Sequence, residues 1–276
     1  MNRFDWYLNA KRLYAKNGIH PSILSLVVYK VFKAKDLFDV NEDDFKSNIE
    51  MLDYYNQKIF EKKQLPQHIV GYENFYGYFF NVSKYTLLPR IETECLIDIA
   101  QDKLKTMNSN PKVLDLCCGS GCIGITIAKK FNVISYASDI SQEALDIARR
   151  NYEEHNITCT LKISDIFQEW DEKFDLILCN PPYIDIEDEI EKSVIIHEPH
   201  LALFAEDKGL YFYKNIIEHL SLYLNTHGVL VFEIGESQGQ LIEEYASIYD
   251  YDCSIIKDMF GRNRNAILTR RQGVCK

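Results

Sequence analysis

Glycine and proline are scarce in this chain, 12 and 7 of 276 residues, and no low-complexity tract, Pro/Ser-rich linker or internal repeat interrupts it. Collagenous, solenoid and disordered classes are thereby excluded. No stretch approaches the roughly 18 consecutive apolar residues of a membrane span. The opening segment MNRFDWYLNAKRLYAKNGIH lacks the apolar core of a secretory leader. The expectation is a cytoplasmic protein. Its eight cysteines, Cys95, Cys117, Cys118, Cys122, Cys159, Cys179, Cys253 and Cys275, are scattered rather than spaced as a disulfide framework, and reduced thiols are expected. No metal site is expected either, because Cys117, Cys118 and Cys122 have no second Cys or His pair at zinc-ligand spacing.

Basic residues are also short, 31 against 41 acidic ones, for a net charge of −10. A field of that sign repels phosphate, and only Lys257, Arg262, Arg264, Arg270 and Arg271 form a modest basic cluster. Neither a nucleic-acid channel nor a membrane surface is expected as partner. What remains, 46% hydrophobic and 26% charged residues, is the composition of a folded globular protein long enough for about two domains.

Residues 1–67 read as a small helical bundle. Ile23, Leu24, Val27, Val28, Val31 and Phe32 recur at three- and four-residue steps, with Pro21 suited to a first helical turn. A second segment, Asn41 to Lys62, opens on Asn41, Glu42, Asp43 and Asp44, which suit a helix N-terminus, and continues with Ile49, Leu52, Tyr55 and Ile59. From His68 to Leu88, aromatic and β-branched residues with turn chemistry at Gly71, Gly77 and Asn81-Val82-Ser83 predict a β-hairpin, and residues 68–90 are read as a linker between domains. Beyond it, residues 91–276 alternate short apolar runs with helical periods. The runs Val113–Leu116, Val133–Ser138, Thr160–Ile163, Phe174–Cys179, Gly228–Ile234 and Ala266–Thr269 call for βαβ units on a mostly parallel sheet, an α/β fold whose ligand lies at the carboxyl ends of the strands.

The residues following each run therefore carry the chemistry. After the first comes Cys117-Cys118-Gly119-Ser120-Gly121-Cys122-Ile123-Gly124, a GxGxxG loop opening a helix, and the next run ends at Asp139, 20 residues after Gly119. Glycines let the backbone approach a ligand, the helix offers free N–H groups, and an acid at that distance accepts from ribose hydroxyls. Asp115, inside the first strand, is a buried carboxylate that needs hydrogen bonds from the ligand region or from backbone N–H groups. Asp165 ends the third strand either as a polar ligand contact or as a helix cap, with Ile166 and Phe167 able to wall an adenine ring.

The fourth run ends in Asn180-Pro181-Pro182-Tyr183. Consecutive prolines cannot join a ladder and fix φ, so the chain leaves the sheet in a rigid loop that turns the Asn180 side chain and the Pro181 carbonyl outward. Those two acceptors suit both hydrogens of an NH2 group, and Tyr183 suits its flat face.

On these residues the chain resembles the class I S-adenosyl-L-methionine-dependent methyltransferases, and specifically the bacterial protein-(glutamine-N(5)) methyltransferases of peptide chain release factors. The likeness spans nearly the whole chain: FYGYFFNVSKYTLLPRIETECL, LDLCCGSGCIGI, SDIS, SDIF, NPPY, HEPHLALFAEDKGLYFY, VFEIGESQG and KDMFGRNRNAIL. The resemblance implies a Rossmann-like sheet domain, S-adenosyl-L-methionine as cofactor and a class I release factor as protein substrate, held by the helical domain. It implies cofactor contacts from Cys117, Cys118, Gly119, Ser120, Gly121, Asp139, Ile166 and Asn180, and substrate and catalytic roles for Asn180, Pro181, Pro182 and Tyr183. Three places depart from the family's habit: Cys117 stands where glycine is frequent, Pro89–Glu94 reads PRIETE, and Ile166 replaces a frequent aromatic. Glu198 and Pro199 match the family's segment after NPPY, but by residue type alone they read as ordinary loop residues.

Other classes fit less of the sequence. A dehydrogenase explains GxGxxG and Asp139 but not NPPY. An adenine N(6)-type nucleic-acid methyltransferase uses a similar loop, and the net charge argues against it. A noncatalytic binding module has no need of both a cofactor loop and an amide clamp. A glutamine methyltransferase acting on a ribosomal protein stays open, since such a clamp reads only the end of a glutamine.

Overall fold

A computed structural model describes residues 2–62, 64–107, 109–188 and 192–271. It divides into two compact units, Met1–Lys84 and Tyr85–Lys276. Among the described residues no helix is long and apolar enough to cross a membrane. The seven described cysteines are free thiols, and Cys275 lies outside the described residues.

The first unit contains helices α1 (Arg3–Lys16), α2 (Ile23–Phe32), α3 (Glu42–Glu61) and α4 (Pro66–Val70), followed by strands β1 (Tyr72–Phe75) and β2 (Tyr78–Asn81). Asn41 caps α3 by accepting the Asp44 N–H, with three acids in the first turn against the helix dipole. Pro21 lies just ahead of α2 rather than in its first turn: its carbonyl accepts the Leu24 N–H at 3.1 Å. The core gathers Trp6, Tyr14, Leu24, Val27, Phe45, Leu52 and Ile59. Its two polar tips are satisfied, Trp6 by Asp53 at 2.8 Å and Tyr14 by Asn56 at 2.7 Å.

The hairpin is shorter than the sequence implied. Pro66 starts a helical turn that takes His68, Ile69 and Val70 out of the strand, and Gly71 ends it at φ +80°. The strands turn through Tyr76-Gly77, both at positive φ, which matches the twist of a two-residue hairpin. Asn81 ends β2 instead of opening a turn.

The second unit is built on a seven-stranded sheet. Its strands are β3 (Lys112–Leu116), β4 (Ile134–Asp139), β5 (Cys159–Ile163), β6 (Phe174–Cys179), β9 (Leu224–Glu233), β10 (Tyr251–Lys257) and β11 (Asn263–Arg270), in the order β10-β11-β9-β6-β3-β4-β5. Only β11 runs antiparallel to the rest. β10 is the strand the apolar runs missed, because Asp252 and Ser254 alternate with its apolar residues near the sheet edge. A two-stranded ribbon of β7 (Ile184–Asp185) and β8 (Phe204–Ala205) follows β6. Helices α5 (Glu94–Leu104), α6 (Cys122–Lys130), α7 (Gln142–Glu154), α8 (Lys192–His197), α9 (Glu206–Gly209), α10 (Tyr211–Tyr223) and α11 (Gly239–Ile248) complete it.

Alternation along the strands serves both faces. Leu114, Leu116, Ile177, Leu230 and Phe232 share one core with Tyr213, Ile216, Ile217 and Leu220 of α10. Asp115, of opposite parity, meets the start of α6. After β5 the chain crosses back to place β6 beside β3, so the sequence order reverses between these neighbours. This is the switch point at which an open α/β sheet accepts ligands.

Candidate active site

A cavity of about 510 Å³ opens at the carboxyl ends of β3, β4, β5 and β6. Cys117, Cys118, Gly119, Ser120, Asp139, Asp165, Ile166, Asn180 and Pro182 line it. Gly121 does not line it but caps α6, and Pro181 and Tyr183 also lie outside the lining. Phe167 is not an adenine wall: it stacks on Tyr223 in the core at 4.4 Å.

The glycine loop is braced from behind. Gly119 holds φ +54°, with open space where a side chain would stand, so its backbone faces the cavity unobstructed. At Gly124, a Cβ would meet the Tyr152 hydroxyl at 2.3 Å, so this glycine serves packing rather than a ligand. Asp115 belongs to the same layer: its Oδ2 accepts the Gly124 N–H at 2.8 Å and its Oδ1 has no partner among the described residues. Cys122 and Cys159 are pushed up to about 12 and about 11 chiefly by burial, and so stay protonated at neutral pH.

Burial pushes the Asp115 carboxyl up to about 8, opposed by the Gly124 N–H and reinforced by Asp139. The folded protein therefore keeps a proton that the unfolded chain releases above the ordinary carboxylate range. The corresponding stability is full below that range and is lost as pH rises toward the folded value. The melting temperature of the wild type relative to Asp115→Asn should fall between about pH 5 and about pH 8. A difference constant across that window would show that Asp115 titrates normally in the fold.

Asp139 ends β4. Its Oδ2 accepts the Gly119 N–H at 2.8 Å and its Oδ1 the Ser141 N–H at 3.0 Å, so it ties two loops and still presents acceptor lone pairs to the cavity it lines. Burial raises its pKa, with these backbone N–H groups opposing.

Asn180 follows β6 at the cavity wall. Its Nδ2 donates to Thr93 Oγ1 at 3.5 Å, and Thr93 in turn donates to Glu233 Oε2 at 2.6 Å. The Tyr183 hydroxyl donates to the other Glu233 oxygen at 3.3 Å, and Arg264 reaches that hydroxyl at 3.5 Å. Gln238 Nε2 fixes the loop's exit by donating to the Tyr183 carbonyl at 2.9 Å. Glu233, on the sheet's last parallel neighbour of β6, is buried, and burial raises its pKa.

Sequence reasoning gave no role in the site to Thr93, Glu233, Gln238 or Arg264, although each lies in a stretch that carried the family likeness. It also read Glu198 as an ordinary loop residue. Glu198 is buried, accepts the Leu88 N–H at 3.1 Å and pairs with Arg90, joining two segments that line the cavity. A lone loop glutamate has no sequence pattern that announces a partner 108 residues away.

Comparison with known proteins decides what this geometry belongs to. The family model for the methyltransferase small domain matches residues 93–200. Over 235 residues the chain is 40% identical to the release factor glutamine methyltransferase of Streptococcus pneumoniae (strain ATCC BAA-255 / R6), covering 83% of this chain and 82% of that one. The chain belongs to the release factor glutamine methyltransferase family. A second member, from Clostridium botulinum (strain Hall / ATCC 3502 / NCTC 13319 / Type A), is 34% identical over 263 residues, 91% of this chain and 92% of that one. The fold matches the crystal structure of ribosomal protein L11 methylase from Lactobacillus delbrueckii subsp. bulgaricus, at a TM-score of 0.52 and 21% identity, covering 66% of this chain and 81% of that chain. As a methyltransferase with a mostly parallel sheet, this family member bears out the fold class and the enzyme class expected from its motifs.

Proposed function

We propose that this methyltransferase uses S-adenosyl-L-methionine to methylate the side-chain amide nitrogen of the glutamine in the Gly-Gly-Gln motif of class I peptide chain release factors. The observation that carries the reading is Asn180. Its Nδ2 is tied to Thr93, which leaves Oδ1 without a partner among the described residues, on the wall of the cavity that also contains Gly119 and Asp139.

The cavity suits an adenosyl ligand. Asp139 offers acceptors for a pair of ribose hydroxyls, Ile166 an apolar face for adenine, and the Cys117–Gly121 loop a close backbone. Bound there, S-adenosyl-L-methionine supplies a methyl group activated by a sulfonium. The chain's own part is positional. Asn180 Oδ1, on the cavity wall, takes one amide hydrogen, and the rigid prolines hold that acceptor still. An amide nitrogen is a weak nucleophile, so alignment and exclusion of water are what it needs. The nitrogen then sheds one proton.

Nucleic acid is the less favoured substrate. Three of the five basic residues near the C-terminus are met by acids: Arg264 by Asp258 at 3.3 Å, Arg271 by Asp252 at 3.0 Å and Arg262 by Glu236 at 3.9 Å. Of that cluster only Lys257 and Arg270 are left without an ion pair among the described residues, too few to track a phosphate backbone.

Residues 1–67 are proposed as the part that recognises the protein substrate, with residues 68–90 connecting it to the methyltransferase domain. In support, the unit Met1–Lys84 has its own core and carries twelve Lys and Arg against ten Asp and Glu, whereas the remainder carries nineteen against thirty-one. One assay addresses the substrate. Methyl transfer to intact release factor, below saturation, should exceed transfer to a short Gly-Gly-Gln peptide by at least about tenfold, the share contributed by remote binding. Equal rates per molecule would remove the recognition role while leaving the glutamine chemistry in place.

A further inference from the structure

We infer that Thr93 and Glu233 are positioning residues for methyl transfer: a one-way hydrogen-bond chain, Asn180 Nδ2–H to Thr93 and Thr93 O–H to Glu233, fixes which end of the Asn180 amide faces the substrate. The inference rests on the glutamine methyltransferase reading and deepens it.

An asparagine amide presents an acceptor at one end and donors at the other, and a half-turn about its last bond exchanges them. For a substrate NH2 group the two orientations are opposite in effect. Oδ1 toward the cavity accepts one of its hydrogens, whereas Nδ2 toward the cavity sets donor against donor. Something must select the first orientation, and the two prolines that follow Asn180 fix the backbone but not this rotation.

The selection is set by proton count. Glu233 is buried, which raises its pKa, while the hydrogen bond from Thr93, the charge of Arg264 and the hydrogen bond from Tyr183 favour the carboxylate, and that anion only accepts. Its Oε2 takes the Thr93 hydroxyl proton at 2.6 Å, which is short for a hydroxyl donor. Thr93, with its one proton committed, can offer Asn180 only a lone pair. Asn180 meets it with Nδ2, at 3.5 Å. That contact is at the long end of the range, as active-site hydrogen bonds commonly are before substrate binds. Thr93 is itself buried at the cavity wall, which shields most of its surface from bulk solvent.

The carboxylate is held in turn. Tyr183 donates to Glu233 Oε1 at 3.3 Å, and Arg264, whose Nη1 reaches both the Tyr183 hydroxyl and the Ile234 carbonyl, places a positive charge beside the pair. Asp258 anchors that arginine at 3.3 Å. The chain thus brings together residues from PRIETE, NPPY, VFEIGESQG and KDMFGRNR, four stretches far apart in sequence.

Substitutions at Thr93 separate hydrogen-bond polarity from packing. Thr93→Val keeps the shape and removes the hydroxyl. It should lower kcat on intact release factor by at least about tenfold, with cofactor affinity and KM within about threefold of wild type. Thr93→Ser should recover most of the activity. Asn180→Asp leaves two carboxylates competing for one Thr93 proton and should be impaired. Adding Glu233→Gln lets the new amide donate to Thr93, which frees the Thr93 proton for the carboxylate introduced at position 180, so the double variant should exceed Asn180→Asp by about tenfold. Melting temperatures accompany each assay. Full activity in Thr93→Val overturns the inference, as does an equal loss in Thr93→Ser. If Thr93→Val fails to fold, the double variant decides: a gain over Asn180→Asp upholds the chain, and no gain overturns it. A wild type inactive on release factor is a different failure, that of the substrate reading itself.

Discussion

Asn180→Ala loses at least about a hundredfold in turnover while melting within a few degrees of the wild type. The two halves of that result have separate causes. Turnover falls because the acceptor that orients the amide nitrogen is gone, and a nucleophile this weak has no other activation. Stability holds because little depends on the side chain. Asn180 is half-buried, its one side-chain bond among the described residues is the long contact to Thr93, and removing it leaves Thr93 still bonded to Glu233 at 2.6 Å. No buried donor is orphaned. Steady-state kinetics with release factor, beside a thermal melt, reads both halves. A fully active variant would sink the amide clamp, and an unfolded one would make Asn180 a structural residue.

Asp139→Ala should weaken S-adenosyl-L-methionine binding by about tenfold to a hundredfold, the equivalent of roughly 1–3 kcal/mol. Two hydroxyls lose their acceptor in a partly dry site. The loop also loses a brace, since Gly119 and Ser141 both donate to this carboxylate. Asp139→Asn separates the contributions: its single carbonyl oxygen can keep one of those bonds, so its loss should be smaller than that of alanine. Calorimetry with the cofactor measures it. Unchanged affinity in the alanine variant would remove Asp139 from the cofactor site, and tight binding of NAD in place of the methyl donor would return the site to dehydrogenase chemistry.

Legibility in the sequence followed the range of each interaction. Strands β3 and β6 were readable because burial on both faces leaves short, nearly apolar runs, and the loops that follow them and β4 inherit fixed places from the sheet. That is why Gly119, Asp139 and Asn180 were found. β10 was missed because near the edge its apolar residues alternate with polar ones, and Pro66 took His68–Val70 into a helix by a local effect that outweighs their strand propensity. The bracing of the site was not legible. Thr93 meets Glu233 across 140 residues and Arg90 meets Glu198 across 108, and no spacing rule connects such pairs. Asp115 could be flagged as a costly buried acid, but only the fold identified Gly124 as its donor.

Mass spectrometry of the product locates the transferred methyl group. Intact release factor incubated with the protein and S-adenosyl-L-methionine, then digested and fragmented, should carry a single added methyl on the glutamine of its Gly-Gly-Gln loop, on the side-chain amide nitrogen. A methyl found on a nucleic-acid base or another residue, with that glutamine unmodified, would contradict the account.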